Sequence, residues 1–275
     1  MSTHHPDHAP DDIDRAHYLH WSRTWAALAR RSFPDHATVE GRLVEFFRKL
    51  CLRISPSVVL EVGAHEATFS RWAAHALPDA RVTAFEANPY VHEKFADRLA
   101  RTRVEYLNLC VGPVNGEVEL HLPKQIRGEE RSLASKMASL NLHTLADEHV
   151  QVSVPSVRLD DRLDLSPDDR VVMWIDVEGA TQTVLEGSGT VLDRTRALIV
   201  EVENQAVWEG QWLDTDVAAH LRRNGMVPVA RDVAARPHRY NVVYVRAEEA
   251  TDIRTARQAA GVLRRPNPSG QSERD

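Results

Sequence analysis

The chain has 275 residues, 43% of them hydrophobic, with two cysteines and a formal charge of −6. That length suits one large α/β domain with its own core. The cysteine count excludes a disulfide framework, and the acidic balance argues against the basic face of a general nucleic-acid binder.

Residues 1–12 hold His4, His5 and His8 among Asp and Pro without an apolar run, and read as a solvated, disordered tail rather than a metal site or a secretory signal. No stretch approaches the ~20 apolar residues of a membrane span. A cytoplasmic protein with neither membrane nor nucleic acid as partner is the expectation. From Ile13 to Ser32, apolar residues including Tyr18, Trp21 and Trp25 recur at helical spacing; the helix either caps the core or lies over a substrate pocket as a lid. Val39–Leu52 is a second amphipathic helix, so 13–56 reads as N-terminal helices packed on the core of a domain spanning 57–246.

Val58–Val62 is a buried parallel strand running into a turn at Gly63, after which Thr68–Leu77 forms a helix stopped by Pro78. The second strand, Arg81–Ala87, places Glu86 23 residues after Gly63, about where a ribose-binding acid is expected in a nucleotide fold. A dinucleotide turn needs further glycines, whereas here Ala64, His65, Glu66 and Ala67 follow, and Glu66 would repel a pyrophosphate. S-adenosylmethionine has no phosphate and carries an amine and a sulfonium, so a turn with Glu61 just before the glycine suits it better. A nicotinamide-dependent oxidoreductase is the disfavoured alternative.

Pro89 opens a helix over Tyr90–Ala100. Val104–Val111 is a third strand, at whose end Cys110 and Val111 would enclose an adenine ring, with Cys110 as plain core filler the competing reading. Asn115-Gly116 is a turn, and Glu117–Leu122 alternates as an edge or hairpin strand. Lys124–Glu148 is long and polar, a substrate-facing loop expected to be mobile. Val150–Leu159 is another strand, closed by Asp160-Asp161 as a turn or cap. Val171–Ile175 is a buried strand that presents Asp176 and Glu178 at its C-terminal end, where open α/β sheets bind ligands. Asp176 reads as functional, and Glu178 equally as a site residue or a cap. A helix over Thr181–Leu192, weakened by Gly187 and Gly189, leads to the strand Ala197–Glu203 and then to Trp208 and Trp212, which read as exposed binding residues or as packing against the N-terminal helix. A helix over Asp216–Arg223 precedes a closing strand pair, Val227–Val233 with Asn241–Val245. Residues 247–275 read as a largely disordered tail with one short helix.

Three segments, Leu60-Glu61-Val62-Gly63-Ala64, Ala84-Phe85-Glu86-Ala87-Asn88-Pro89 and Trp174-Ile175-Asp176-Val177-Glu178-Gly179-Ala180, resemble the FkbM family of S-adenosylmethionine-dependent methyltransferases. The resemblance covers roughly the central two thirds of the chain. It implies a doubly wound, Rossmann-like class I sheet of seven mostly parallel strands, the last antiparallel, with an inserted hairpin. It also implies O-methylation of a small natural product or sugar. The cofactor would then meet Glu61, Gly63, Ala64, His65, Glu86, Asn88, Cys110 and Val111, and Asp176 and Glu178 would serve catalysis. Asp176 would accept the hydroxyl proton or, with Glu203, hold a divalent cation, although no ligand cluster with diagnostic spacing supports a metal. The chain departs from the family at Trp174, where a Lys is usual, at Thr181, where a Glu is usual, and at His65 and Ala67, where Asn and Gly are common. A side chain at Ala67 that crowds the methionine end would leave a non-catalytic binding protein. Only four of the 34 basic residues are Lys, which accords with a high-GC bacterial source and secondary metabolism.

Overall fold

Two helices precede the sheet in the computed structural model, which describes residues 9–33, 35–233 and 238–264. The first, α1 (Ala9–Ser32), starts before Ile13, while His4, His5 and His8 lie outside the described residues. The second, α2 (His36–Ile54), begins at Asp35, whose carboxylate accepts the Thr38 N–H at 2.7 Å, a cap that contributes about 1 kcal/mol. Its apolar face, with Leu43, Phe46, Phe47 and Leu50, is buried against the sheet.

The expected alternation follows as β1 (Val58–Val62), α3 (Thr68–Ala76), β2 (Arg81–Phe85), α4 (Pro89–Leu99) and β3 (Glu105–Leu107). The single strand expected over Val104–Val111 divides. The Asn108 side-chain amide donates to the Glu86 and Ala87 carbonyls at 2.8 and 3.2 Å, and Cys110–Val111 (β4) then joins a second sheet. That sheet contains β5 (Gly116–Ile126), β6 (Glu129–Glu130) and β7 (Ala146–Val157) in the order β4-β7-β5-β6. Lys124–Glu148 is therefore strand at both ends, and the loop proper runs over 131–145.

The chain continues through α5 (Leu159–Arg162) and β8 (Val171–Ile175). The helix expected over Thr181–Leu192 breaks into α6 (Thr181–Glu186) and α7 (Gly189–Arg194). At the break, Gly187 packs so closely on Gly112 that a Cβ would lie 2.1 Å from its carbonyl oxygen. Asp160 accepts the Val191 N–H at 3.0 Å, which gives it the capping role that the sequence suggested. The remaining elements are β9 (Thr195–Glu203), α8 (Asp214–Arg223), β10 (Met226–Arg231), β11 (Arg239–Arg246), α9 (Ala247–Ala250) and α10 (Ile253–Val262). The tail beyond Arg246 is thus helical as far as Val262, and α10 docks on α2, where Arg42 donates to the Val262 carbonyl at 3.1 Å. Residues 265–275 lie outside the described residues.

The main sheet has seven strands in the order β10-β11-β9-β8-β1-β2-β3, all parallel except β11, which is antiparallel to both neighbours. Successive side chains point to opposite faces. Val59, Val172 and Ile199 pack under α2 and α3, while Leu60, Met173 and Val200 pack under α6 to α8. Strand order reverses between β1 and β8, and such a switch point opens a crevice at the C-terminal strand ends. The α1 helix lies at the β10–β11 edge of the sheet, where Trp25 donates to the Arg231 carbonyl at 2.8 Å and Tyr18 bonds Tyr240 at 2.9 Å; it caps the core there, and none of its described side chains lines the crevice. No described helix is long and apolar enough to cross a membrane.

Candidate active site

The turn after β1 is forced into shape by its neighbours. Gly63 has φ +78°, and it and Ala64 both donate backbone N–H to the Phe85 carbonyl, at 3.0 and 2.9 Å. The chain then takes left-handed conformations at His65 (φ 48°) and Ala67 (φ 53°) before α3 starts. Such geometry costs a non-glycine residue roughly 1–2 kcal/mol. The Ala67 methyl is fully buried in the core beneath α3 and is not part of the cavity wall, so it does not crowd that wall as expected from the sequence.

Glu61 turns beneath the start of α3, where its carboxylate accepts the Ser70 and Phe69 N–H groups at 2.7 and 3.3 Å. Burial pushes its pKa up to about 7, against the pull of those donors. Glu86 ends the second strand and accepts the His65 N–H on one oxygen at 2.7 Å and the Asn88 N–H on the other at 2.8 Å. Burial lifts it likewise to about 7. Each Glu86 oxygen keeps a second lone pair for a ligand hydroxyl.

Asn88, expected at the cofactor, has another task. Its oxygen caps α4 through the Tyr90 N–H at 3.1 Å, its amide donates to the Leu133 carbonyl at 2.7 Å, and it does not line the cavity. It thereby ties the 131–145 loop to the end of β2. The loop's other end is tied by Asn141, whose amide donates to the Gly179 carbonyl at 2.9 Å, and by Thr144, whose N–H donates to the Val207 carbonyl at 3.0 Å.

These elements enclose a cavity of about 350 Å³ at the C-terminal ends of β1, β2 and β8. Cys110 and Val111 form one apolar wall with Leu109, Ala138 and Leu140. Burial pushes the Cys110 thiol up to about 12, so it serves as an uncharged wall. Gly63, Ala64, His65 and Glu86 line the middle, and Asp176, Glu178 and Trp174 the far side. Trp174 packs on Phe69 and Phe47 with ring centroids 5.2 and 6.0 Å apart, so an aromatic face stands where a lysine was the family expectation. Thr181, the other departure, is buried beside the Glu201 carbonyl.

The carboxylates extend beyond the pair expected from sequence. Oxygens of Asp176, Glu178 and Glu201 lie within 4.8 Å of one another. Arg239, from β11, contacts both Glu178 oxygens at 2.9 Å and one Glu201 oxygen at 3.1 Å. The second Glu201 oxygen is buried and meets no donor. A proton shared with Asp176 would satisfy it, and burial, opposed by Arg239, raises Asp176 above the ordinary carboxylate range. Burial and the charges of Asp176 and Glu178 raise Glu201 as well. Glu203, the expected cation partner of Asp176, stands outside this group and accepts from Gln211 at 3.2 Å.

Sequence reasoning passes over Glu201 and Arg239. The parallel register pairs Ile175 with Val200, so Glu201 directly follows beside Asp176, a proximity readable only once β8 and β9 are known to be neighbours. Trp208 is a correction of another kind. Its polar surroundings in the sequence suggest exposure, yet it is 1% accessible, with its ring 4.8 Å from that of His143 and so close to Gly179 that a Cβ there would lie 2.3 Å away. Trp212 is half-buried and lies 5.2 Å from the His220 ring.

A sheet of this order with its cavity at the switch point defines the class I methyltransferase architecture. Residues 61–228 match the methyltransferase FkbM domain, and the chain belongs to that family. A relative, the 2-O-methyltransferase NoeI of Sinorhizobium fredii (strain NBRC 101917 / NGR234), is 25% identical over 162 residues, 56% of this chain and 66% of its own length. The match thus spans just under two thirds of that relative. Among solved structures, methyltransferase FkbM from Methylobacillus flagellatus KT superposes with a TM-score of 0.44 at 11% identity, covering 70% of this chain and 44% of its own. Magnesium protoporphyrin IX methyltransferase from Synechocystis PCC 6803, solved with bound S-adenosylmethionine, gives 0.40 at 14% identity, covering 77% and 79%.

Proposed function

We propose that this methyltransferase moves the methyl group of S-adenosylmethionine to a hydroxyl oxygen of a small natural product or sugar. The observation that carries the reading is the Asp176–Glu201 carboxyl pair at the ends of β8 and β9, of which Asp176 lines the same cavity as Glu86 and the Gly63 turn. The adenine would lie against Cys110 and Val111, the ribose hydroxyls on Glu86, and the sulfonium near Gly63, facing an acceptor held at Asp176. The acceptor oxygen attacks the methyl carbon as the carbon–sulfur bond breaks, and Asp176 takes the hydroxyl proton. Holding the oxygen in line at about 3 Å supplies much of the acceleration. Arg239 already engages Glu178 and Glu201, so the reading needs no divalent cation. The name of the relative supports oxygen as the acceptor atom.

The direct test incubates the protein and labelled S-adenosylmethionine with an extract of the producing cell. A compound that gains the mass of one methyl group, only when active enzyme is present, identifies the acceptor. Glu86→Ala should lose about 2–3 kcal/mol of cofactor binding, since its carboxylate would accept two charge-assisted bonds from the ribose. Calorimetry that finds unchanged affinity in the folded variant removes Glu86 from the site. The loop over 131–145 is tied at Leu133, at Ser139 through paired backbone bonds with His121, and again from Asn141 onward, which narrows the expected mobility to the segment between the first two ties. Amides of residues 134–138 should exchange rapidly in the free protein and slow once cofactor and acceptor bind. Equal protection in both states would make the loop a fixed wall.

A further inference from the structure

Arg48 lines the cavity from α2. Its guanidinium lies 5.2 Å from the centroid of the Trp72 ring, a stacking contact that limits where the side chain can point. Its Nε–H is buried with no acceptor, and among the described residues no carboxylate forms an ion pair with it. A buried donor left unpaired costs about 1–3 kcal/mol, and a charged group more. Such a group is accounted for if a ligand brings the missing acceptor.

Much of the nearby backbone N–H that could hold an anion in place of Arg48 is already engaged. A helix N-terminus is the usual place to hold an anion, but the Phe69 and Ser70 N–H groups at the start of α3 are already taken by Glu61. The His65 N–H is taken by Glu86 and the Ala67 N–H by the Ala64 carbonyl at 2.6 Å. Lys136 also lines the cavity, yet it is exposed and its charge already acts on Asp176 and Glu66. Sheet order supplies the direction. With the adenine wall beyond β2 and the ribose acid at the end of β2, a ligand that crosses Gly63 reaches Thr68, Phe69 and the α2 wall with its remaining arm.

We infer that Arg48 binds the carboxylate at the methionine end of the cofactor, so that α2, which lies N-terminal to the matched methyltransferase domain, completes the cofactor site. This rests on S-adenosylmethionine being the cofactor. An acid group on the acceptor would offer Arg48 the same chemistry, and the experiment separates the two sources.

Calorimetry on the full chain compares S-adenosylmethionine with its decarboxylated form, which keeps the adenosine, sulfonium and amine and lacks only the carboxylate. The wild type should bind the decarboxylated form about 10- to 100-fold more weakly, the range for one charge-assisted pair. Arg48→Met should weaken S-adenosylmethionine by a similar factor and leave the decarboxylated form within about threefold, while Arg48→Lys recovers part of the loss. Equal wild-type affinities for the two compounds overturn the proposal without recourse to any variant. So does an Arg48→Met variant that weakens both equally, which marks a packing role, or neither, which leaves Arg48 to the acceptor. A wild type that binds neither compound defeats the methyl-donor reading itself, a result distinct from every outcome in which S-adenosylmethionine binds.

Discussion

Asp176→Asn is expected to lower turnover by roughly 10²- to 10⁴-fold while leaving S-adenosylmethionine affinity nearly unchanged. The substitution keeps the shape and removes the base. An Asn amide at this position has an N–H to offer the otherwise unsatisfied Glu201 oxygen, so the fold should tolerate it. The cofactor's adenosine contacts are assigned to Glu86 and to the Cys110 wall, which leaves Asp176 to the acceptor. The wild-type rate should rise with pH as the Asp176–Glu201 pair loses its shared proton, because burial holds both groups above the ordinary carboxylate range and only the ionised form accepts a proton. The Asn variant should lack that rise. A variant that melts well below the wild type but retains full turnover when cold would make Asp176 a scaffold residue. One that binds, melts and methylates normally would end its catalytic assignment and direct attention to Glu178 and His65.

Gly63→Ala should be severely destabilising, with a loss above about 4 kcal/mol. A Cβ built there lies 1.8 Å from the Asp176 carbonyl oxygen and 2.7 Å from its carbon. Both atoms belong to backbone that runs directly out of the β8 ladder, so neither can move aside without breaking strand pairing. Gly128→Ala is the control, since Gly128 has almost the same φ, +77°, and a Cβ added to it would meet nothing within 4 Å. It carries only the backbone strain, about 1–2 kcal/mol. Denaturant midpoints of the two variants measure the difference. If they lose the same stability, the close approach of the β1 turn to β8 is not what selects glycine.

Much of the scaffold was legible in the chain because its strands are buried on both faces and its punctuation is strong. Val58–Val62, apolar but for Glu61, and Val171–Ile175 are buried runs, and Gly63, Pro78 and Pro89 mark where elements stop or start. The same local grammar located the Gly63 turn, Glu86 and Asp176, all of which line one cavity. It misplaced what depends on partners distant in sequence. Val104–Val111 looks like one strand, yet the bonds of Asn108 to the end of β2 send its second half to another sheet. Trp208 sits among polar residues, yet Gly179 and His143, far away in sequence, bury it. Asn88 carries the right residue type at the right strand end, but its hydrogen-bonding groups are already used by Tyr90 and the Leu133 carbonyl.

By itself, then, the order of residues determined which segments become strands, where the chain turns, and that a carboxylate stands at the end of each of two buried strands, since these follow from burial pattern and backbone freedom within a few residues. Which charges share a site was decided only by the tertiary structure. Glu201 comes beside Asp176 through the register of β8 with β9, Arg239 reaches both Glu178 and Glu201 because β11 inserts antiparallel next to β9, and Arg48 meets the cavity because α2 packs across the same face as α3. Electrostatic interaction depends on distance through space and on burial, and neither is recorded in the spacing of residues along a chain.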